Sequence, residues 1–191
     1  MEQKIVQQLK QGDEKTFREF VENNKDRVVN ICYGFLKNRR DAEDTAQDVF
    51  IEVFRSIEKF RGDSKLSTWL YRIAVTKSLD VLRKKKRRAR FKQLTSIFYE
   101  NNFESMPEFT SSDKPDSEIE KKERRDILNW AIDKLPRDQK TAVVLNKLQS
   151  YSYKEVAEIM GKSVSSVESL IYRSMKKLKI ILQNYYEKKL L

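Results

Sequence analysis

The chain has 191 residues, 40 of them Lys or Arg against 29 Asp or Glu, so its formal net charge is +11, and it contains no histidine and one cysteine, Cys32. These counts exclude a histidine general base, a Ser-His-Asp triad, a His-ligated zinc, an internal disulfide and a Cys-only metal cage; no catalytic residue, cofactor site or metal site is expected. The Gly-Lys-Ser at 161–163 is no phosphate-binding loop, because that motif's first glycine would fall on Val156 and no strand precedes it. Few glycines and prolines favour an all-α chain, and its length suits one large domain or two small ones. The N-terminus is polar, and no window approaches the roughly 18 apolar residues of a membrane span, so neither secretion nor direct membrane insertion is expected. A lone thiol agrees with a reducing, cytoplasmic setting, with Cys32 read as a small buried side chain.

The charge is organised along the chain: net +8 over residues 1–90, −4 over 91–123 and +7 over 124–191. The acidic stretch at 101–123 holds two of the three prolines and few apolar residues, a composition that does not pack easily as a regular element. The resulting organisation is two small helical domains, 1–90 and 122–191, joined by an extended acidic linker at 91–121.

In the first domain, Phe17, Phe20, Val21, Val28, Ile31 and Phe35 fall at helical spacing and predict one long helix from Glu14 to Leu36. A break at Lys37-Asn38 follows. Asp41 is then expected to cap a helix whose inner residues are Ala46, Val49, Phe50, Val53, Phe54 and Ile57. Its other face holds Asp41, Glu43, Asp44, Gln47, Asp48 and Glu52, an acidic patch inside a basic domain. Two readings are open for it: complementation of the helix dipole, or a docking surface for a basic protein partner.

After a turn at Arg61-Gly62-Asp63-Ser64, with Ser67 as the expected cap, Leu66, Leu70, Ile73, Ala74, Leu79 and Leu82 define a third amphipathic helix. Its opposite face interleaves Trp69, Tyr71, Arg72 and Lys77 and runs into the basic block 83–90. Rings beside cations suit melted nucleic acid, where unstacked bases need aromatic faces and phosphates need positive charge. The bland alternative makes Trp69 and Tyr71 core residues and the basic run a solvated tail.

In the second domain a helix containing Ala142, Val143, Leu145 and Leu148 reaches a turn near Ser150. Ser152 and Glu155 form a capping box for a short helix ended by Gly161, and Ser163 caps the next, with Val164, Val167, Ile171, Ser174 and Leu178 as its inner stripe. Helix, glycine turn, helix is the helix-turn-helix arrangement, whose second helix enters the major groove. Ser165, Ser166, Glu168, Ser169, Tyr172, Arg173 and Lys176 would then face DNA; a plain helical hairpin with a charged face is the alternative.

Taken together, DAEDTAQDVFIEVFRSIEKFRGDSKLSTWLYRIAVTKSLDVLRKKKRR and LPRDQKTAVVLNKLQSYSYKEVAEIMGKSVSSVESLIYRSMKKLK resemble the bacterial RNA polymerase sigma factors of the extracytoplasmic-function (ECF) type, over about residues 5–90 and 120–182. The resemblance implies a sigma region 2-like helical bundle and a region 4-like helix-turn-helix, and a non-catalytic subunit that directs core RNA polymerase to promoters. It implies docking of Asp41, Asp44, Gln47, Asp48 and Glu52 on the β′ clamp helices. Recognition and melting of the −10 element would fall to Arg61, Ser64, Lys65, Thr68, Trp69, Tyr71, Arg72, Thr76, Lys77, Arg83 and Lys84, with Arg61–Thr68 as a loop that accepts a flipped base. Binding of the −35 element would fall to Ser165, Ser166, Glu168, Ser169, Tyr172, Arg173, Lys176 and Lys177, with that domain on the β flap. The linker resembles the segment that threads polymerase near its active centre and RNA exit path. An anti-sigma factor, often membrane-anchored in the family, is an implied further partner. Thr76 stands where many members have Asn, and Glu168 and Leu170 where others have cations. A regulator that binds DNA as a free dimer is the competing reading, but it leaves the aromatic and basic helix at 66–90 unexplained.

Overall fold

The computed structural model describes residues 2–97 and 118–189, and among these every regular element is helical. The order is α1 (Glu2–Lys10), α2 (Glu14–Leu36), α3 (Arg39–Ser56), a 3-10 turn (Ile57–Lys59), α4 (Leu66–Ile97), α5 (Glu118–Asp133), α6 (Arg137–Val143), a π-turn (Val144–Leu148), α7 (Tyr153–Met160) and α8 (Val164–Lys189). The middle of the expected linker, 98–117, lies outside the described residues. Its two ends do not: α4 continues to Ile97 and α5 already begins at Glu118, so both helices run into the stretch expected to be irregular.

The helix from Glu14 to Leu36 forms as the periodicity predicts, capped by the Asp13 side chain, which accepts from the Thr16 N–H at 2.7 Å. It ends where Lys37 turns left-handed at φ 55°. The cap of α3 differs from expectation: Asn38 accepts from the Asp41 N–H at 3.0 Å, so Asp41 lies within the first turn. Three helices then share one core, with Val28, Ile31 and Phe35 of α2 against Val49 and Val53 of α3 and Leu70 and Ala74 of α4, all nearly inaccessible to solvent. Each large apolar side chain buried in this way contributes about 1.5–3 kcal/mol relative to exposure. Cys32 is buried in the same core, where desolvation pushes its thiol up to about 11.

The second group is built around α8. Its Val167, Ile171, Ser174 and Leu178 are buried, whereas Val164, expected on the same stripe, is exposed at the helix start. Ser174 satisfies its hydroxyl on the Leu170 carbonyl at 2.6 Å. The capping box at Ser152 and Glu155 is present in both directions, and Gly161 ends α7 at φ +63°.

The two groups are in contact, and buried apolar residues form one cluster across the seam. Gly34 of α2 faces the π-turn so closely that a Cβ there would lie 2.9 Å from Val144 Cγ1 and 3.0 Å from Gln149 Nε2. A glycine inside a helix costs about 1 kcal/mol relative to alanine, and this close approach is what it permits. Beside it, Tyr71 of α4 packs on Tyr151 with ring centroids 5.8 Å apart. The Arg72 guanidinium donates to the Glu158 carbonyl of α7 through Nε at 3.1 Å and Nη2 at 2.6 Å. At the edge of the seam Lys140 is buried and pairs with Asp133 at 2.6 Å. Burial holds the neighbouring Lys37 ammonium below the ordinary lysine value, because desolvation outweighs the attraction of Asp133.

Candidate polymerase and nucleic-acid interfaces

Three surfaces gather the residues singled out in the sequence. On α3, Asp44, Gln47 and Asp48 are exposed with no ion-pair partner among the described residues. Asp41 and Glu52 are half-buried and already paired with α4. Asp41 bonds to Lys85, and Glu52 accepts from Lys77 at 2.8 Å. The Lys77 hydrogen bond is the main reason the Glu52 carboxyl sits below the usual carboxylate range. Dipole complementation therefore accounts for Asp41, which lies in the first turn, but not for Asp44 and Asp48, which lie further along the helix, where that field has faded.

The same face carries apolar groups. Ile51 is 48% exposed and Phe54, expected in the core, is 58% exposed, its ring meeting that of Phe17 edge to face at 5.3 Å between centroids. The spacing held a signal for Ile51, which follows Asp44 by seven residues, Gln47 by four and Asp48 by three, the offsets that share one helical face. Phe54 was legible in neither direction, because it lies on the boundary between that face and the core. Acidic side chains around exposed apolar ones make a surface suited to a basic, partly apolar partner.

On α4 the expected −10 residues divide. Arg61, Lys65, Thr76, Arg83 and Lys84 are exposed, and Ser64, Trp69 and Arg72 are half-buried. Contrary to the expected exposure, Thr68 and Tyr71 are buried, each only 6% accessible. The helix begins at Leu66, before the expected Ser67 cap, which turns Thr68 inward, and Tyr71 is covered by Tyr151 from the second group. Lys77 is half-buried on Glu52. Trp69 stacks obliquely on Phe60, centroids 5.3 Å apart, and is half-buried against the core. Thr76 donates its hydroxyl to the Arg72 carbonyl at 2.8 Å and borders a cleft of about 450 Å³ between α4 and the α6–α7 region.

On α8 the side chains expected to face DNA lie on the solvent side. Ser165, Ser166, Glu168, Ser169, Tyr172, Arg173, Lys176 and Lys177 are all exposed, Tyr172 at 73%. Ser163 caps the helix, accepting from the Ser166 N–H at 3.2 Å, and Arg173 donates to the Ser169 carbonyl at 3.1 Å. Asp138 and Lys162, paired at 3.0 Å, flank a hollow at the start of this helix that reaches to Arg173. A short helix braced across the base of a longer one, whose outer face is polar and basic, can lay that face into a major groove.

Two family models match the chain, sigma-70 region 2 over residues 20–88 and sigma-70 region 4 over residues 125–178. The chain is 35% identical to the ECF RNA polymerase sigma-E factor of Haemophilus influenzae, over 91% of its own length and 90% of that protein. It belongs to the ECF sigma factors. The sigma-E factor of Escherichia coli K12 is 34% identical over the same shares. Among solved structures, this sigma factor resembles CnrH in complex with the cytosolic domain of CnrY, with a TM-score of 0.64 at 20% identity, covering 96% of this chain and 97% of CnrH. It also resembles RpoE of Bartonella quintana in complex with the anti-sigma factor NepR, with a TM-score of 0.56 at 21% identity, covering 88% of this chain and 98% of RpoE. At those identities the likeness is one of fold. A sigma factor of this family is a non-catalytic specificity subunit: it binds core RNA polymerase and directs promoter recognition and transcription initiation. Among the described residues no helix is long and apolar enough to cross a membrane.

Proposed function

We propose that this sigma factor binds core polymerase first and reads its promoter only after the two helical groups separate. The observation that carries this is the contrast between an open α3 face and a covered α4 face: Asp44, Gln47 and Asp48 are free, while Tyr71 and Arg72 are held against Tyr151 and α7. Geometry supports the second half. Elements centred near −10 and −35 lie about 25 base pairs apart, or about 85 Å of duplex at 3.4 Å per step. α4 and α7 are in direct contact, and α8 follows α7 at once, so one molecule cannot span both elements in this arrangement.

We assign residues 1–90 to docking and −10 melting, residues 122–191 to −35 binding, and 91–121 to the connection between them. In this reading the clamp helices of β′ meet α3 and the β flap meets the second group. Once the groups separate, aromatic and cationic side chains of α4 take the melted strand, each stacked base contributing about 1–3 kcal/mol. On α8, Arg173 is suited to a guanine edge and Glu168 to a cytosine amino group. The site of action is the cytoplasm, where promoter DNA and polymerase meet. Because CnrH is solved with the cytosolic domain of CnrY and RpoE with the anti-sigma factor NepR, an anti-sigma factor is the regulator this reading expects.

Run-off transcription with purified core enzyme on a selected promoter tests the reading, alongside duplex binding by the free protein. Promoter-dependent transcripts only when the chain is added, with weak binding in its absence from polymerase, is the expected result. Tight sequence-specific binding by the free chain would overturn the order.

A further inference from the structure

The loop between the 3-10 turn and α4, residues 61–65, is fixed at both ends by a helix far away in sequence. Lys10 of α1 donates from Nζ to the Phe60 carbonyl at 3.0 Å, immediately before the loop. At the other end the Leu66 N–H, the first of α4, donates to the Glu2 carboxylate. That group would otherwise be one of the unpartnered donors at a helix start. α1 can act as a fixed bar because Leu9 is buried and Ile5 and Val6 pack on the core. Between the bar and the loop lies a groove of about 520 Å³, bounded by Gln3 and Lys10 on one side and Arg61, Ser64 and Lys65 on the other. Its size is in the range of small-ligand sites. Within the loop Gly62 adopts φ +81°, a left-handed conformation that glycine takes without steric cost.

We propose that Glu2 and Lys10 are positioning residues for base selection: α1 pins both ends of loop 61–65 and forms the opposing wall of the groove that takes an extruded −10 base. The inference rests on the reading that this loop receives such a base. Selectivity at an extruded base requires the groups reading it to be held in place before it arrives. A loop tied at one end, or at neither, still admits a base but discriminates poorly among the four.

The test uses full-length variants reconstituted with core polymerase on promoters carrying each of the four bases at every −10 position. Glu2→Ala and Lys10→Met are expected to lower discrimination by about tenfold at a single −10 position, with other positions, the −35 element and core affinity unchanged. Glu2→Gln and Lys10→Arg, which keep an acceptor and a donor in place, are expected to restore it. Unchanged discrimination, or an equal loss at every position as general destabilisation would give, overturns the proposal. Arg61→Ala and Ser64→Ala separate the two layers. If they too leave every base preference intact, the loop is not a reader and both ideas fall; if they alone alter it, only the role of α1 falls.

Discussion

α3 and α4 lie side by side in one bundle and present their functional faces in opposite states. The outer face of α3 is open, with carboxylates at Asp44 and Asp48 that have no ion-pair partner among the described residues and partly bare Ile51 and Phe54. The corresponding stretch of α4 is committed within the molecule: Tyr71 to Tyr151, Arg72 to Glu158 and Lys77 to Glu52. A protein-docking face can stay open at no risk, since acidic groups repel DNA. A face made of rings and cations binds nucleic acid without discrimination, and the large electrostatic term in such binding makes an uncovered face promiscuous. The difference in exposure is what the proposed order of docking before promoter reading rests on.

The comparison can be broken most directly on α3. Asp48→Lys sets a cation against a basic partner, and like charges across an interface cost several kcal/mol. Core association, measured by competition with the unmodified factor, is expected to weaken by about 2 kcal/mol or more while the thermal unfolding midpoint holds. Unchanged association would remove α3 as the docking face.

α8 offers the next test, because its reading face is open like that of α3. Arg173→Ala should weaken −35-dependent initiation by about 1–3 kcal/mol, and only on promoters with the preferred base, if it makes a bidentate base contact. An equal loss on all promoters, with a shallower salt dependence, would make it a phosphate contact instead.

The covered state of α4 is tested at the seam. Gly34→Ala favours helix α2 by up to about 1 kcal/mol but overpacks against Val144, which costs about 1–3 kcal/mol. The net expectation is a seam loosened by roughly 1 kcal/mol, read as about fivefold tighter binding of a single-stranded −10 oligonucleotide by the free protein. If affinity does not rise, the seam does not restrain the α4 face.

The smallest effect belongs to the pair that joins the two helices. Glu52 titrates below its ordinary 4.5 because of Lys77. A depressed carboxylate stabilises the fold above its unfolded value, and that contribution is lost as pH falls through the folded one. Both partners are partly exposed, so Glu52→Gln should cost under about 1 kcal/mol at neutral pH. The difference from the unmodified protein should vanish in acid; a constant difference at all pH values would mean that the loss is one of packing.

Much of this molecule was legible from local pattern. The bounds of α2, the capping box at Ser152 and Glu155, the Gly161 stop and the outward face of α8 follow from 3.6-residue periodicity and from chemistry within four residues of each position. Those signals depend only on neighbours in the chain. The misassigned residues depend on distant ones. Tyr71 reads as a surface ring until Tyr151 covers it, and Phe54 reads as core until α3 is rotated against α2. The start of α4 is satisfied by Glu2, a residue 64 positions away, so no local rule could find its cap. Sequence alone determined that the chain is helical, basic at both ends and equipped with an acidic helix and a helix-turn-helix pattern. Only the tertiary structure decided which of those faces is available, because availability is set by packing between segments that no sequence spacing relates.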